Sequence, residues 1–186
     1  MKPILILCLG NDVLTDDAFG FRVGEGLTRP EVIRDADVCT AAVAGFALLD
    51  IMNGRQAVLV VDTVLTGKAV PGTLHFFPKG YWTPGRGLVS SHEISLPTAL
   101  KLGRLLGYEM PEYIDVLAVE ATDVQTLSEE MTPAVTAAVK PAITVIEEWI
   151  RNRTCEVNDG HRNQKETVTR RRTKSLSGMS RPGLGR

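Results

Sequence analysis

Along the first 150 residues, short and mainly apolar runs alternate with amphipathic stretches. Ile4 to Leu9, Asp37 to Val43 and Ala57 to Val61 are runs of the first kind, and their length and continuity predict strands buried on both faces. Ile114 to Val119 is a further buried strand, and Thr73 to Phe77, after the turn Pro71-Gly72, reads as a short strand at a sheet edge. Helical spacing fills the intervals from about Ala18 to Leu27, from Phe46 to Met52 before the stop signal Asn53-Gly54, and from Leu96 to Leu106 before Gly107. A last long helix is expected from Pro133 to Ile150, with apolar positions at Val135, Val139, Ile143, Ile146 and Ile150 and a kink at Pro141. Strands alternating with helices predict an α/β fold, an open, mostly parallel twisted sheet of about five strands with helices on both faces.

Composition adds a boundary to this picture. The 186 residues are 44% hydrophobic and 23% charged, which suits one globular domain that needs no disulfide or structural metal. The formal charge of -1 hides an asymmetry: residues 151–186 hold ten Lys and Arg against three Asp and Glu, leaving eleven against nineteen in residues 1–150. The expected organisation is therefore an acidic α/β domain over 1–150 and a basic tail over 151–186. Few large apolar residues and no period mark that tail as disordered. An acidic body argues against nucleic acid as the main ligand. No apolar stretch approaches the ~18 residues of a membrane span, and Met1-Lys2-Pro3 leads into the first strand without a cleavage site. Cys8, Cys39 and Cys155 are scattered and odd in number, so a disulfide framework is not expected and the compartment reads as cytoplasmic.

An open α/β sheet binds ligands beyond the carboxyl ends of its strands. Three polar segments fall there: Gly10 to Gly20, Val61-Asp62-Thr63, and Ser90-Ser91-His92-Glu93. The first lacks both glycine-rich phosphate fingerprints, and Asp12, Asp16 and Asp17 would repel a pyrophosphate, so no nucleotide is expected. Asp16 and Asp17 also suit a capping role in a first helical turn. Asp62 is different, because a carboxylate at the mouth of a buried strand is costly unless paired, hydrogen-bonded, metal-bound or used as a turn cap. With His92, Asp17 and Asp62 would form an O/O/N set suited to a divalent ion such as nickel or zinc. A Ser-His-Asp triad is disfavoured, since no G-x-S-x-G is present and Ser90 and Ser91 adjoin the only plausible base. Cys8 lies inside a buried strand and makes a poor nucleophile.

The run Leu9-Gly10-Asn11-Asp12-Val13-Leu14-Thr15-Asp16-Asp17-Ala18-Phe19-Gly20 resembles the G-N-x-x-x-x-D-[DE]-x-x-G signature of the hydrogenase maturation proteases. The resemblance continues through Val61-Asp62-Thr63, Pro71-Gly72-Thr73, Ser91-His92-Glu93, Leu127-Ser128 and Thr132-Pro133-Ala134-Val135, covering about residues 2 to 150. It implies an endopeptidase, metal-dependent or aspartic-type, that removes the C-terminal extension of a nickel-iron hydrogenase large-subunit precursor after nickel insertion. The implied catalytic and metal-contacting residues are Asp17, Asp62 and His92, facing a nickel that the precursor carries. The precursor is the implied partner, with no nucleic acid, no membrane, and a monomer as the working oligomeric state. The same three ligands would also serve a metal-sensing chaperone that binds the nickel-loaded precursor without cutting it. One stretch departs from the family: where many members have D-G-G-T-x-G, this chain has Thr40-Ala41-Ala42-Val43-Ala44-Gly45, keeping only the last glycine.

Overall fold

A computed structural model of the chain describes residues 1–27, 29–43, 46–79 and 96–176. Five strands form one sheet: β1 (Ile4–Leu9), β2 (Asp37–Ala41), β3 (Ala57–Val64), β4 (Leu74–Phe77) and β5 (Tyr113–Glu120), in the order β2-β1-β3-β5-β4. All neighbours are parallel except β4, which runs antiparallel to β5 at the edge. The helices are α1 (Phe19–Gly26), α2 (Pro30–Asp35), α3 (Ala47–Met52), α4 (Leu96–Leu105) and α5 (Pro133–Leu176). A 3-10 turn, Thr15–Ala18, leads into α1. The expected open, mostly parallel α/β sheet is the observed architecture.

Alternation along the strands sorts the core into two layers. Ile4, Ile6, Cys8, Ala57, Leu59, Val61, Leu117 and Val119 meet Phe19 and Val23 of α1 and Val135, Ala138, Ala142, Ile146 and Trp149 of α5. On the opposite face, Leu5, Leu7, Val58, Val60, Val64, Ile114, Val116 and Ala118 meet Leu48 and Met52 of α3 and Leu100 of α4. Every residue of β1 and β3 is buried, which is why both read as continuous apolar runs.

Several boundaries differ from the sequence pattern. β3 does not stop at Val61, because β5 continues beside it and pairs Asp62 with Ala118, Thr63 with Val119 and Val64 with Glu120. The ladder carries the strand through two polar residues, so Asp62 lies within β3 and not in the turn after it. β2 is shorter than expected, ending at Ala41 with its register partner Leu9 at the end of β1. The short α2, with Pro30 in its first turn, has no counterpart in the periodicity. α5 runs past Ile150 to Leu176, into the stretch whose composition predicts disorder. Once a packed segment such as 133–150 has nucleated a helix, each further residue fixed gains one hydrogen bond without a new nucleation cost.

At the end of the sheet remote from the acid segments, Asp115 anchors α5. Its buried carboxylate accepts hydrogen bonds from Trp149 Nε1 at 2.7 Å, Arg153 Nη2 at 3.0 Å and the Lys79 amide at 2.8 Å. The Arg153 guanidinium also lies 4.8 Å from the centre of the Tyr113 ring. A chain ended at Arg151 loses Arg153 and leaves Asp115 with one charged donor fewer, a cost of about 1–3 kcal/mol. A chain ended at Cys155 keeps it. Thermal melts should therefore place the shorter chain several degrees below the longer one, by roughly 2–4 °C per kcal/mol. Equal midpoints would remove Arg153 from the anchor.

Candidate active site

The strand order reverses direction at β1, whose two neighbours are β2 and β3. The region beyond the carboxyl ends of β1 and β3 is thus the switch point at which open α/β sheets bind ligands. Two acids reach it, Asp17 from the 3-10 turn that follows β1 and Asp62 from near the end of β3.

Asp17 arrives through a tight loop. Gly10 has φ +148°, and a Cβ there would lie 2.0 Å from the Asp17 carbonyl oxygen. That same oxygen accepts the Asn11 amide at 3.1 Å, while Asn11 Oδ1 accepts the Val13 amide at 3.2 Å. Gly20 lets α1 press against β1, since a Cβ on it would meet the Leu9 carbonyl oxygen at 2.0 Å. Both glycines are needed for close backbone approach, and together they fold the segment from 10 to 20 back over the end of β1.

Asp16 and Asp17, adjacent in sequence, take different surroundings. Asp16 is fully buried and its carboxylate accepts three backbone amides, from Thr132 at 2.8 Å, Thr122 at 2.9 Å and Asp123 at 3.1 Å. It stitches the β5–α5 connection and the start of α5 to the 3-10 turn. No side-chain cap bond serves the turn that carries it, so its structural role is directed at a distant helix. Asp17 Oδ1 instead accepts the hydroxyl of Thr63 at 3.1 Å, from β3.

Asp62 Oδ1 accepts the backbone amide of that same Thr63 at 2.7 Å. Asp17 and Asp62 are 5% and 8% exposed, so the two acids share a nearly dry site joined through one residue. Burial pushes the Asp62 carboxyl up to about 7, the Asp17 charge adds to the rise, and the Thr63 amide opposes it. Near neutral pH this carboxyl is populated in both protonation states, as suits a group that takes up and gives back a proton. Thr63 is the part of this arrangement that composition and spacing missed; its signal was a hydroxyl residue directly after Asp62 in an otherwise apolar strand.

His92 lies outside the described residues, as do Ser90, Ser91, Glu93 and the Ala44-Gly45 end of the departing stretch. Among the described residues, no group of three or more His, Cys, Asp or Glu is placed to hold a metal ion. The two acids offer oxygen donors of the type a hard or borderline cation takes. Among the described residues, no helix is long and apolar enough to cross a membrane.

Residues 22–149 match the model of a protein family described as hydrogenase maturation protease. The hydrogenase 2 maturation protease of Escherichia coli strain K12 is 29% identical over 143 residues, covering 75% of this chain and 85% of its own. Among solved structures, the hydrogenase maturating endopeptidase HybD from Escherichia coli superposes with a TM-score of 0.68 at 27% identity, covering 82% of this chain and 93% of its own. A nickel-iron hydrogenase maturation protease HybD from Thermococcus kodakarensis shares the fold, with a TM-score of 0.65 at 24% identity over 81% of this chain and 99% of its own.

Proposed function

The chain belongs to the hydrogenase maturation protease family, a family of peptidases, and from that premise we propose that it removes the C-terminal extension of a nickel-iron hydrogenase large-subunit precursor once nickel is in place. The observation that carries the reading is the pairing of Asp17 and Asp62 through Thr63 at the switch point of the sheet.

Hydrolysis of one peptide bond needs water to add to the carbonyl carbon, a group to take its proton, and a proton for the departing amine. A carboxyl with a pKa near the working pH does both in turn, and Asp62 at about 7 is such a group. Asp17, held by the Thr63 hydroxyl, supplies the neighbouring carboxylate. The nickel belongs to the precursor and is part of the substrate; it would anchor the adjoining C-terminal segment against the oxygens of Asp17 and Asp62 and the imidazole of His92. Use of Asp62 as proton acceptor or as oxygen donor requires its ionised form, so cleavage should rise with pH through about 7.

The test incubates the protein with nickel-loaded and nickel-free precursor and weighs the products by mass spectrometry. The expected result is loss of the C-terminal peptide from the loaded form alone, and its absence with His92→Ala at an unchanged melting temperature. Equal cleavage of nickel-free precursor, or wild-type turnover by the His92 variant, contradicts the nickel-directed reading. Binding of loaded precursor without a mass change would instead identify a metal-sensing chaperone.

A further inference from the structure

We infer that Thr63 is the positioning residue of the acid pair, holding Asp17 with its hydroxyl and Asp62 with its own amide so that two carboxylates from separate segments keep one mutual arrangement. This rests on the reading of those acids as the reacting pair.

Along β3, Ala57, Leu59 and Val61 pack toward α1 and α5, while Val58, Val60 and Val64 pack toward α3 and α4. Alternation assigns Asp62 to the second face and Thr63 to the first, which is the side from which the 3-10 turn delivers Asp17. The two acids therefore approach the strand end from opposite faces, and Thr63 reaches both. Its hydroxyl donates to Asp17 at 3.1 Å and its amide to Asp62 at 2.7 Å.

The hydroxyl has no packing purpose that valine would not serve. Strand β3 reads Ala-Val-Leu-Val-Val-Asp-Thr-Val, and valine matches threonine in shape and β-branching. A buried hydroxyl is costly unless it is hydrogen-bonded, and this one, 6% exposed, is satisfied by Asp17. It carries a single proton and directs it along one line. Two neighbouring carboxylates repel at low dielectric, and the Thr63 donor counters the tendency of the Asp17 side chain to swing away from Asp62. Thr63 acts through the two acids it holds.

The experiment compares wild type, Thr63→Val and Thr63→Ser by steady-state cleavage of nickel-loaded precursor, thermal melting, and crystal structures. Misplacement of a reacting group by about 1 Å costs on the order of 100-fold. We expect Thr63→Val to lose roughly 10- to 100-fold in kcat with KM little changed, and Thr63→Ser to restore most of the loss. The Asp17 side chain should keep its rotamer in the serine variant and leave it in the valine variant. Wild-type kcat in a folded valine variant, an unmoved Asp17 in its crystal structure, or a serine variant as impaired as valine overturns the inference. Thr63→Ala provides the same three readouts should the valine variant fail to fold. If wild type cuts no precursor, the endopeptidase reading fails, while the crystallographic comparison still decides the positioning role.

Discussion

Asp62→Asn should abolish processing and at the same time stabilise the fold above neutral pH. Asparagine keeps the shape and the Oδ1 acceptor for the Thr63 amide at 2.7 Å, but it neither ionises nor carries a proton in turn. Loss of a positioned acid-base group typically costs about 10²- to 10⁴-fold, and a fall of that size is expected here. The stability gain follows from linkage. Burial raises the Asp62 carboxyl from 3.8 to about 7, so between these values the folded chain holds a proton that the unfolded chain has released. Stability from this group is complete below about pH 4, declines as pH climbs, and is lost once pH passes about 7. A tenfold change in a proton's affinity corresponds to about 1.4 kcal/mol, so the variant should gain on the order of 2–4 kcal/mol at pH 8 and almost nothing at pH 4. Urea melts of both proteins at the two pH values read this directly. A pH slope unchanged by the substitution, or undiminished turnover, would show that Asp62 is not the strained acid of the site. A destabilised group retained where chemistry needs it is the usual exchange of stability for activity.

The architecture was legible because strands of a parallel sheet covered on both faces are mostly apolar, and β1 and most of β3 therefore stand out as apolar runs. Asp62 stood out for the same reason, as a charge set against such a run. Where local pattern failed, a distant partner decided. The last three residues of β3 are strand because β5 extends beside them, and nothing near Val61 announces this. The six residues of α2 are too few to show a helical period. Asp16 has its three donors 106 to 116 residues away, and such separations leave no mark on spacing. His92 lies outside the described residues, so its place in the set rests on the sequence alone.

Asp16 and Asp17 are chemically identical neighbours, and exchanging each for asparagine should produce opposite phenotypes. Asp16 accepts through both oxygens, one serving the Thr132 amide and the other the Thr122 and Asp123 amides. Asparagine offers one acceptor oxygen, so a buried amide donor is forced against an NH2 group, and the negative charge at the start of α5 is lost. A buried unsatisfied donor costs about 1–3 kcal/mol, and a charge at a helix start contributes roughly 0.3–1 kcal/mol more. Asp16→Asn should thus lower the melting temperature by roughly 5–10 °C, taking 2–4 °C per kcal/mol, while the material that remains folded keeps its turnover. Asp17→Asn retains an oxygen for the Thr63 hydroxyl and removes a charge beside Asp62, whose carboxyl that charge helps to raise. Its melting temperature should hold or rise while precursor cleavage falls by about two orders of magnitude. Melting curves and mass-spectrometric cleavage assays on the two variants, run side by side, separate the roles. If Asp16→Asn melts like wild type, the three-amide stitch carries no stability; if Asp17→Asn cleaves like wild type, the acid that faces Thr63 has no part in the reaction.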